Sequence, residues 1–331
     1  MASKLFVTGN GYSGSGCILD WLREQKDVNV LPVRPFQYKL GRLGEVSLQK
    51  YIVDTQRAQN PKDKQKVLVN TLEHLYSIER RSYFTNLYQL RLTTTTIIRD
   101  ILETIGIAKF NPEVKSRIQG ANEVKFDIAF LEEVLSQYNE YGGISDSIWS
   151  DWIDNKIASL YASPASVHAI DKSVPLKSVE DAEYFMDGLG SVKIIVALRD
   201  PVDQICEDYI AIMRKNKLRL KLSRSPLGVI VRKSLVSKLE KLEVLLQLES
   251  RRPKQIHIVY FEEFVNDHIA QTQRISDWAG FTPFLGPYRH LDLKVSRQNI
   301  GVGERYPEII KFVKSHTYYK RIMNLRHSKY S

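Results

Sequence analysis

The first twenty-odd residues constrain this chain more than any other stretch. Lys4-Leu5-Phe6-Val7-Thr8 is apolar and partly β-branched, Gly9-Asn10-Gly11-Tyr12-Ser13-Gly14-Ser15-Gly16 holds four glycines and two serines, and Cys17-Ile18-Leu19-Asp20-Trp21-Leu22 resumes at helical spacing. That order reads as strand, tight loop, helix. A loop of this kind turns several backbone N–H groups outward at the positive end of the helix it opens, which suits a phosphate or sulfate group. A glycine turn that merely joins two elements would not need so many small residues.

The formal net charge of +10 agrees with an anionic ligand, though it does not choose among nucleotide, acidic glycan and membrane surface. Hydrophobic residues at 43% and charged residues at 26% describe a globular chain and exclude a disordered one. The two cysteines, Cys17 and Cys206, encode neither a disulfide framework nor a cysteine metal site. With no signal peptide and no apolar run of about 20 residues, the expected location is the cytoplasm.

Four further strands follow: Val28–Val33, Val167–Ile170, Val192–Leu198 and Ile256–Tyr260. Each leads toward a helix, so the expected fold is α/β, a parallel sheet with helices on both faces. Between the second and third strands, residues 45–162 carry apolar residues at three- and four-residue spacing. The spacing predicts helices over Glu45–Gln59, Lys62–Arg80, Tyr83–Ile105, Glu123–Tyr141 and Ser147–Tyr161, a large helical insert within a single 1–331 domain. Further helices are expected over Val202–Lys215, Pro226–Arg251 and Phe261–Gly280, and from Tyr306 onward. Asp200 is an N-cap and Pro201 a first helical residue, which fixes Arg199 at the end of its strand.

Polar groups collect at strand ends, where open α/β sheets bind ligands. They are Arg34, Lys39, Arg42 and Glu45 after the second strand, Lys172 after the third, and Arg199 after the fourth. Three readings of the opening loop compete. A kinase-type loop needs Lys then Ser/Thr where Ser15 and Gly16 stand. Gly9-Asn10-Gly11-Tyr12-Ser13-Gly14 is a literal dinucleotide fingerprint, but the second strand ends near Arg34 rather than an acidic residue, a choice compatible only with an NADP-type 2′-phosphate.

The third reading is a resemblance. Strand, Gly-x-x-x-Ser-Gly-Ser, helix is similar to the 5′-phosphosulfate loop of sulfotransferases that use 3′-phosphoadenosine 5′-phosphosulfate. Ile194–Tyr209, with strand, Arg199-Asp200-Pro201 and helix, resembles that family's 3′-phosphate motif. Asp171-Lys172-Ser173-Val174-Pro175 resembles the Lys-Ser/Thr-Pro segment of bacterial-type members, and His257–Gly280 and Ser296–Gly303 resemble two later segments of the family. Together these cover about a third of the chain; the helical insert has no match.

The resemblance implies a P-loop-type fold with Gly11, Tyr12, Ser13, Gly14, Ser15, Gly16 and Cys17 around the phosphosulfate, and Arg199 and Arg297 on the 3′-phosphate. It implies a transferase that needs no metal and passes a sulfuryl group to a glycan, nucleotide-sugar or other hydroxylated acceptor rather than to nucleic acid. Two positions depart from the family pattern: Tyr12 stands where a basic residue is usual, with Lys172 as the candidate replacement. Glu207, eight residues after Arg199, stands where a serine is usual and would repel a phosphate unless turned away. An alternative for Arg199 itself is an ion pair with Asp200 or Asp203. Glu45 and His168 are the candidate bases. Beside this reading stand two rivals, an NADP-dependent nucleotide-sugar oxidoreductase and a non-catalytic binder of anionic polymer or membrane through the basic C-terminal helix.

Overall fold

The computed structural model describes residues 3–9, 13–30, 50–83, 98–114, 128–140, 144–160, 165, 167–171, 178–215 and 227–328. Five strands form one parallel sheet in the order β2-β3-β1-β4-β5: β1 Ser3–Gly9, β2 Val28–Val30, β3 Val167–Asp171, β4 Val192–Leu198 and β5 Ile256–Tyr260. All five begin within a residue of their expected positions. From β1 the chain turns to β2 and β3 on one side, then steps across to β4 and β5 on the other. The reversal falls between β1 and β4, and a crevice at such a switch point opens at the carboxyl ends of the strands.

Alternation along the strands fills both faces. Phe6, Ile170, Ile194, Val196 and Ile258 share one core with Ile52, Leu68, Leu102, Leu135, Trp149 and Trp152, so the helices between β2 and β3 pack onto the sheet. Leu5, Val7, Ala169, Ile195 and Ala197 face the other way, against Ile18, Trp21 and Leu22 of the first helix and Phe264 and Ile275 after β5. A third cluster joins Val202, Ile205 and Cys206 to Leu235 and Leu239 and to Ile309 and Val313 near the C-terminus. Burial of the strands on both faces explains their unbroken apolar sequence.

Several helices differ from the expected bounds. Pro61–Tyr83 runs through Tyr83, which the spacing had opening the next helix. That next helix is seen over 98–104, before Gly106 at φ 75. Ile128–Glu140 and Ile148–Leu160 lie inside their expected ranges. The helix after β5 is two, Phe261–Asn266 and His268–Ala279, broken at Asp267, whose ψ of 48 is not helical. Val179–Gly188 is an additional helix, capped by Ser178, whose hydroxyl accepts from the Asp181 backbone N–H. Among the described residues no helix is long and apolar enough to cross a membrane.

Candidate functional site

The site is built at the carboxyl ends of β1, β4 and β5. Gly9 is paired with Ala197, so the loop that follows β1 and the Leu198-Arg199-Asp200 junction that follows β4 leave the sheet at the same level. Gly9 must be glycine for a local reason: a Cβ there would come within 2.7 Å of the Ala197 carbonyl oxygen and overlap the Ser13 hydroxyl. Ser13 thus folds back over the strand end. It is 1% exposed, and its Oγ has no hydrogen-bond partner among the described residues. A buried hydroxyl without a partner is costly, and a ligand oxygen would satisfy it.

Gly14 takes the left-handed conformation, φ 87, and is the N-cap of the helix Ser15–Leu22. Among the described residues no side chain caps this helix, and no acidic residue stands in its first turn, so its positive end meets no local counter-charge from them. A Cβ on Gly14 would overlap the ring of Phe261, the first residue after β5. Arg199 lies over the same ring, its guanidinium carbon 5.4 Å from the centroid. Phe261 is therefore a shared wall, approached by both the glycine loop and the arginine.

Arg199 is buried, with 3% of its side chain exposed. Its Nη1 donates to Glu207 Oε1 at 2.9 Å, and its Nη2 donates to the Asn299 carbonyl and lies 4.0 Å from Asp203 Oδ2. Asp203 in turn accepts the backbone N–H groups of Gly301 and Gly303, each at 2.8 Å. The late glycine-containing loop is thereby tied to the first turn of the helix Pro201–Lys215. At Gly303 a Cβ would come within 2.7 Å of Val202 Cγ1, so the approach is as close as the backbone permits. A second tie joins this loop to the first helix, where Cys17 Sγ and Ser296 Oγ are 3.4 Å apart.

The neighbouring β4–β5 ends are held by a separate network. Asp200 caps its helix by accepting from the Val202 N–H at 2.7 Å, while its own N–H donates to Glu262 Oε1 at 2.6 Å. Glu262 Oε2 accepts from Arg326 of the last helix at 3.1 Å. Burial raises the Asp200 carboxyl above its usual range, with the cap hydrogen bond and Arg326 opposing it.

Of the residues singled out in the sequence, the structure brings Ser13, Gly14, Ser15, Gly16, Cys17, Arg199 and Glu207 to this end of the sheet. Gly11, Tyr12, Glu45 and Lys172 lie outside the described residues. Arg297 is exposed at the end of the short helix Leu293–Arg297, where its charge adds to the burial that lowers the His268 pKa. His168 is elsewhere. It is the second residue of β3, in register with Lys4 and Asn29, and so lies at the amino end of the sheet, five strand positions or roughly 16 Å from the glycine loop. Its candidacy as the base gives way to a buried strand position, where burial lowers its pKa against the pull of Asp154.

The ion-pair alternative for Arg199 is met in part, with Asp203 Oδ2 4.0 Å from Nη2. The direct partner is Glu207, two turns along the helix, because Asp203 is taken up by the two glycine amides. Burial pushes both thiols, Cys17 and Cys206, up to about 11, so neither is a thiolate nucleophile at neutral pH. Among the described residues no cluster of His, Cys, Asp and Glu could hold a metal ion. Phe261, Asn299 and Asp203 complete the site although sequence reasoning gave the first two no role. The aromatic residue directly after β5 was the one available signal.

Residues 170–284, from the end of β3 past β5 and its helices, match the model of the sulfotransferase family. The similarity is to sulfotransferases. The match covers about a third of the chain, and the matched stretch contains Arg199, Asp203, Glu207 and Phe261. A solved structure, the sulfotransferase domain from the Synechococcus PCC 7002 olefin synthase, aligns over 95% of this chain and 93% of that one, with a TM-score of 0.39 and 10% identity. No curated protein matches the chain.

Proposed function

We propose that the protein transfers a sulfuryl group from 3′-phosphoadenosine 5′-phosphosulfate to a hydroxyl of a glycan or small-molecule acceptor. One observation carries the reading beyond the family match: the glycine loop, with its buried and unpartnered Ser13 hydroxyl, and Arg199 share the wall made by Phe261. A phosphosulfate on the loop and a second phosphate near Arg199 would then belong to one nucleotide.

In the transfer, a bond forms from the acceptor oxygen to sulfur while the sulfur bond to the bridging phosphate oxygen breaks. The acceptor proton leaves to a base, and negative charge builds on the bridging oxygen. Ser13, Ser15 and the N–H groups at the start of the Ser15–Leu22 helix are the described groups suited to that charge. Lys172 is the proposed cation and Glu45 the proposed base. Residues 35–165 form much of the proposed acceptor side, and Arg34, Lys39 and Arg42, which lie outside the described residues, would receive an anionic acceptor.

The test is a thermal-shift titration with adenosine 3′,5′-bisphosphate. A ligand that binds only the folded state adds about 2.7 kcal/mol of stability at a hundred times its dissociation constant, a shift of several degrees. The wild type should show that shift and Arg199→Ala should lose most of it. Absence of any shift in the wild type, or a shift with nicotinamide dinucleotides instead, would overturn the reading. Salt-sensitive binding to anionic polymer that survives Arg199→Ala would favour the non-catalytic rival.

A further inference from the structure

The two carboxylates around Arg199 are not equivalent. Asp203 has 6% of its side chain exposed and both of its oxygens accept backbone N–H groups at 2.8 Å, so it is fixed. Glu207 has 21% of its side chain exposed and, among the described residues, makes one hydrogen bond, the 2.9 Å bond from Arg199 Nη1. Of the two, it is the one that can turn to water without stranding a backbone N–H group, leaving Arg199 Nη1 to be met by an incoming oxygen. The charges also matter. Among the described residues one guanidinium faces two carboxylates, so an incoming phosphate competes with a carboxylate already on Arg199.

We propose that Glu207 is the specificity-determining residue of the Arg199 subsite, a resident counter-ion that a second phosphate on the nucleotide must displace. The proposal rests on the donor reading above. Binding of such a phosphate is an exchange: Arg199 gives up the Glu207 carboxylate, Glu207 swings toward solvent, and the phosphate oxygens take its place on Nη1. The affinity seen is the phosphate contact less the cost of breaking the pair. A nucleotide without that phosphate leaves the pair intact and meets no such cost. The wild type therefore discriminates weakly between nucleotides with and without a 3′-phosphate, and it releases the bisphosphate product readily. Removing the Glu207 charge restores discrimination.

The experiment is calorimetric titration of wild type, Glu207→Gln and Glu207→Ser with adenosine 3′,5′-bisphosphate and with adenosine 5′-monophosphate, alongside the ligand-free melting temperature of each. Gln keeps a neutral acceptor for Arg199, and Ser withdraws the side chain altogether. Affinity for the bisphosphate should rise roughly tenfold in both variants, while that for the monophosphate changes less than about twofold. An unchanged or weakened bisphosphate affinity in folded variants would overturn the proposal and leave the donor reading standing. Equal gains for both nucleotides would also overturn it, since the effect would then be general charge rather than exchange at Arg199. Failure of the wild type and both variants to bind either nucleotide would remove the donor reading and the proposal together.

Discussion

Lys4 and Arg199 stand on adjacent strands at opposite ends of the sheet, and each is a buried cation with a carboxylate in reach. Lys4 Nζ donates to Ser150 Oγ at 2.7 Å and to the Leu189 carbonyl at 2.9 Å, with Asp154 Oδ2 at 3.1 Å, so an ammonium with three protons has three partners. Arg199 sits instead beside a glycine loop with an open helix end and an unpartnered serine hydroxyl, and its direct carboxylate partner is partly exposed. Both ends show a buried base near an acid. What separates them is whether the surroundings are already complete. Lys4 itself is satisfied internally and is architecture, whereas beside Arg199 the buried Ser13 hydroxyl has no partner among the described residues.

The contrast can be broken most forcefully at Gly14. Alanine there would combine a left-handed backbone with overlap of the Phe261 ring, costing about 3 kcal/mol of stability. The same change should disable nucleotide binding, because the loop and Arg199 would no longer share their wall. Chemical denaturation and ligand titration check the two effects separately. Unaltered nucleotide binding in a destabilised Gly14→Ala would mean that the loop is only a connector.

A milder change tests the other end. In Lys4→Met the apolar chain keeps the packing, Ser150 can still donate to the Leu189 carbonyl at 3.1 Å, and Asp154, 37% exposed, can turn to water. The expected loss is about 1 kcal/mol in urea unfolding, with nucleotide affinity unchanged. A weakened affinity would show that the two ends communicate.

The smallest effect belongs to His168. Its pKa is lowered in the folded protein from an ordinary value of 6.5, chiefly by burial. As pH falls through 6.5 the unfolded chain takes up a proton that the folded chain does not, so stability declines until the folded pKa is passed. His168→Phe should flatten part of that decline between neutral and mildly acidic pH. His268, lowered for the same reason, should retain the rest.

The sheet was legible because its strands are buried on both faces and read as apolar runs, and Asp200-Pro201 marked its helix start unambiguously. Ser178 with Asp181 was an equally good start signal for the Val179–Gly188 helix, and Val179, Ala182, Phe185 and Met186 keep helical spacing, but the segment is short. The break at Asp267 left no mark, since Phe261–Gly280 keeps helical spacing through it. At the site, the place of Arg199 followed from the strand end. Its nearest carboxylate did not. Asp203, one turn away, was the natural choice, yet it is engaged by amides 98 and 100 residues further along, and no local pattern announces so distant a contact. His168 failed for a related reason: a sequence shows that a residue is on a strand, whereas register with Lys4 shows which end it occupies.

The hydrogen bonds from Gly301 and Gly303 to Asp203 also bear on how the molecule comes into being. A carboxylate that emerges early in synthesis waits for roughly a hundred more residues before its acceptors are matched. Until then the start of the β4 helix carries a charge it cannot bury. A nascent chain halted short of residue 301 would therefore lack both this tie and the Ile309 and Val313 part of the third core cluster.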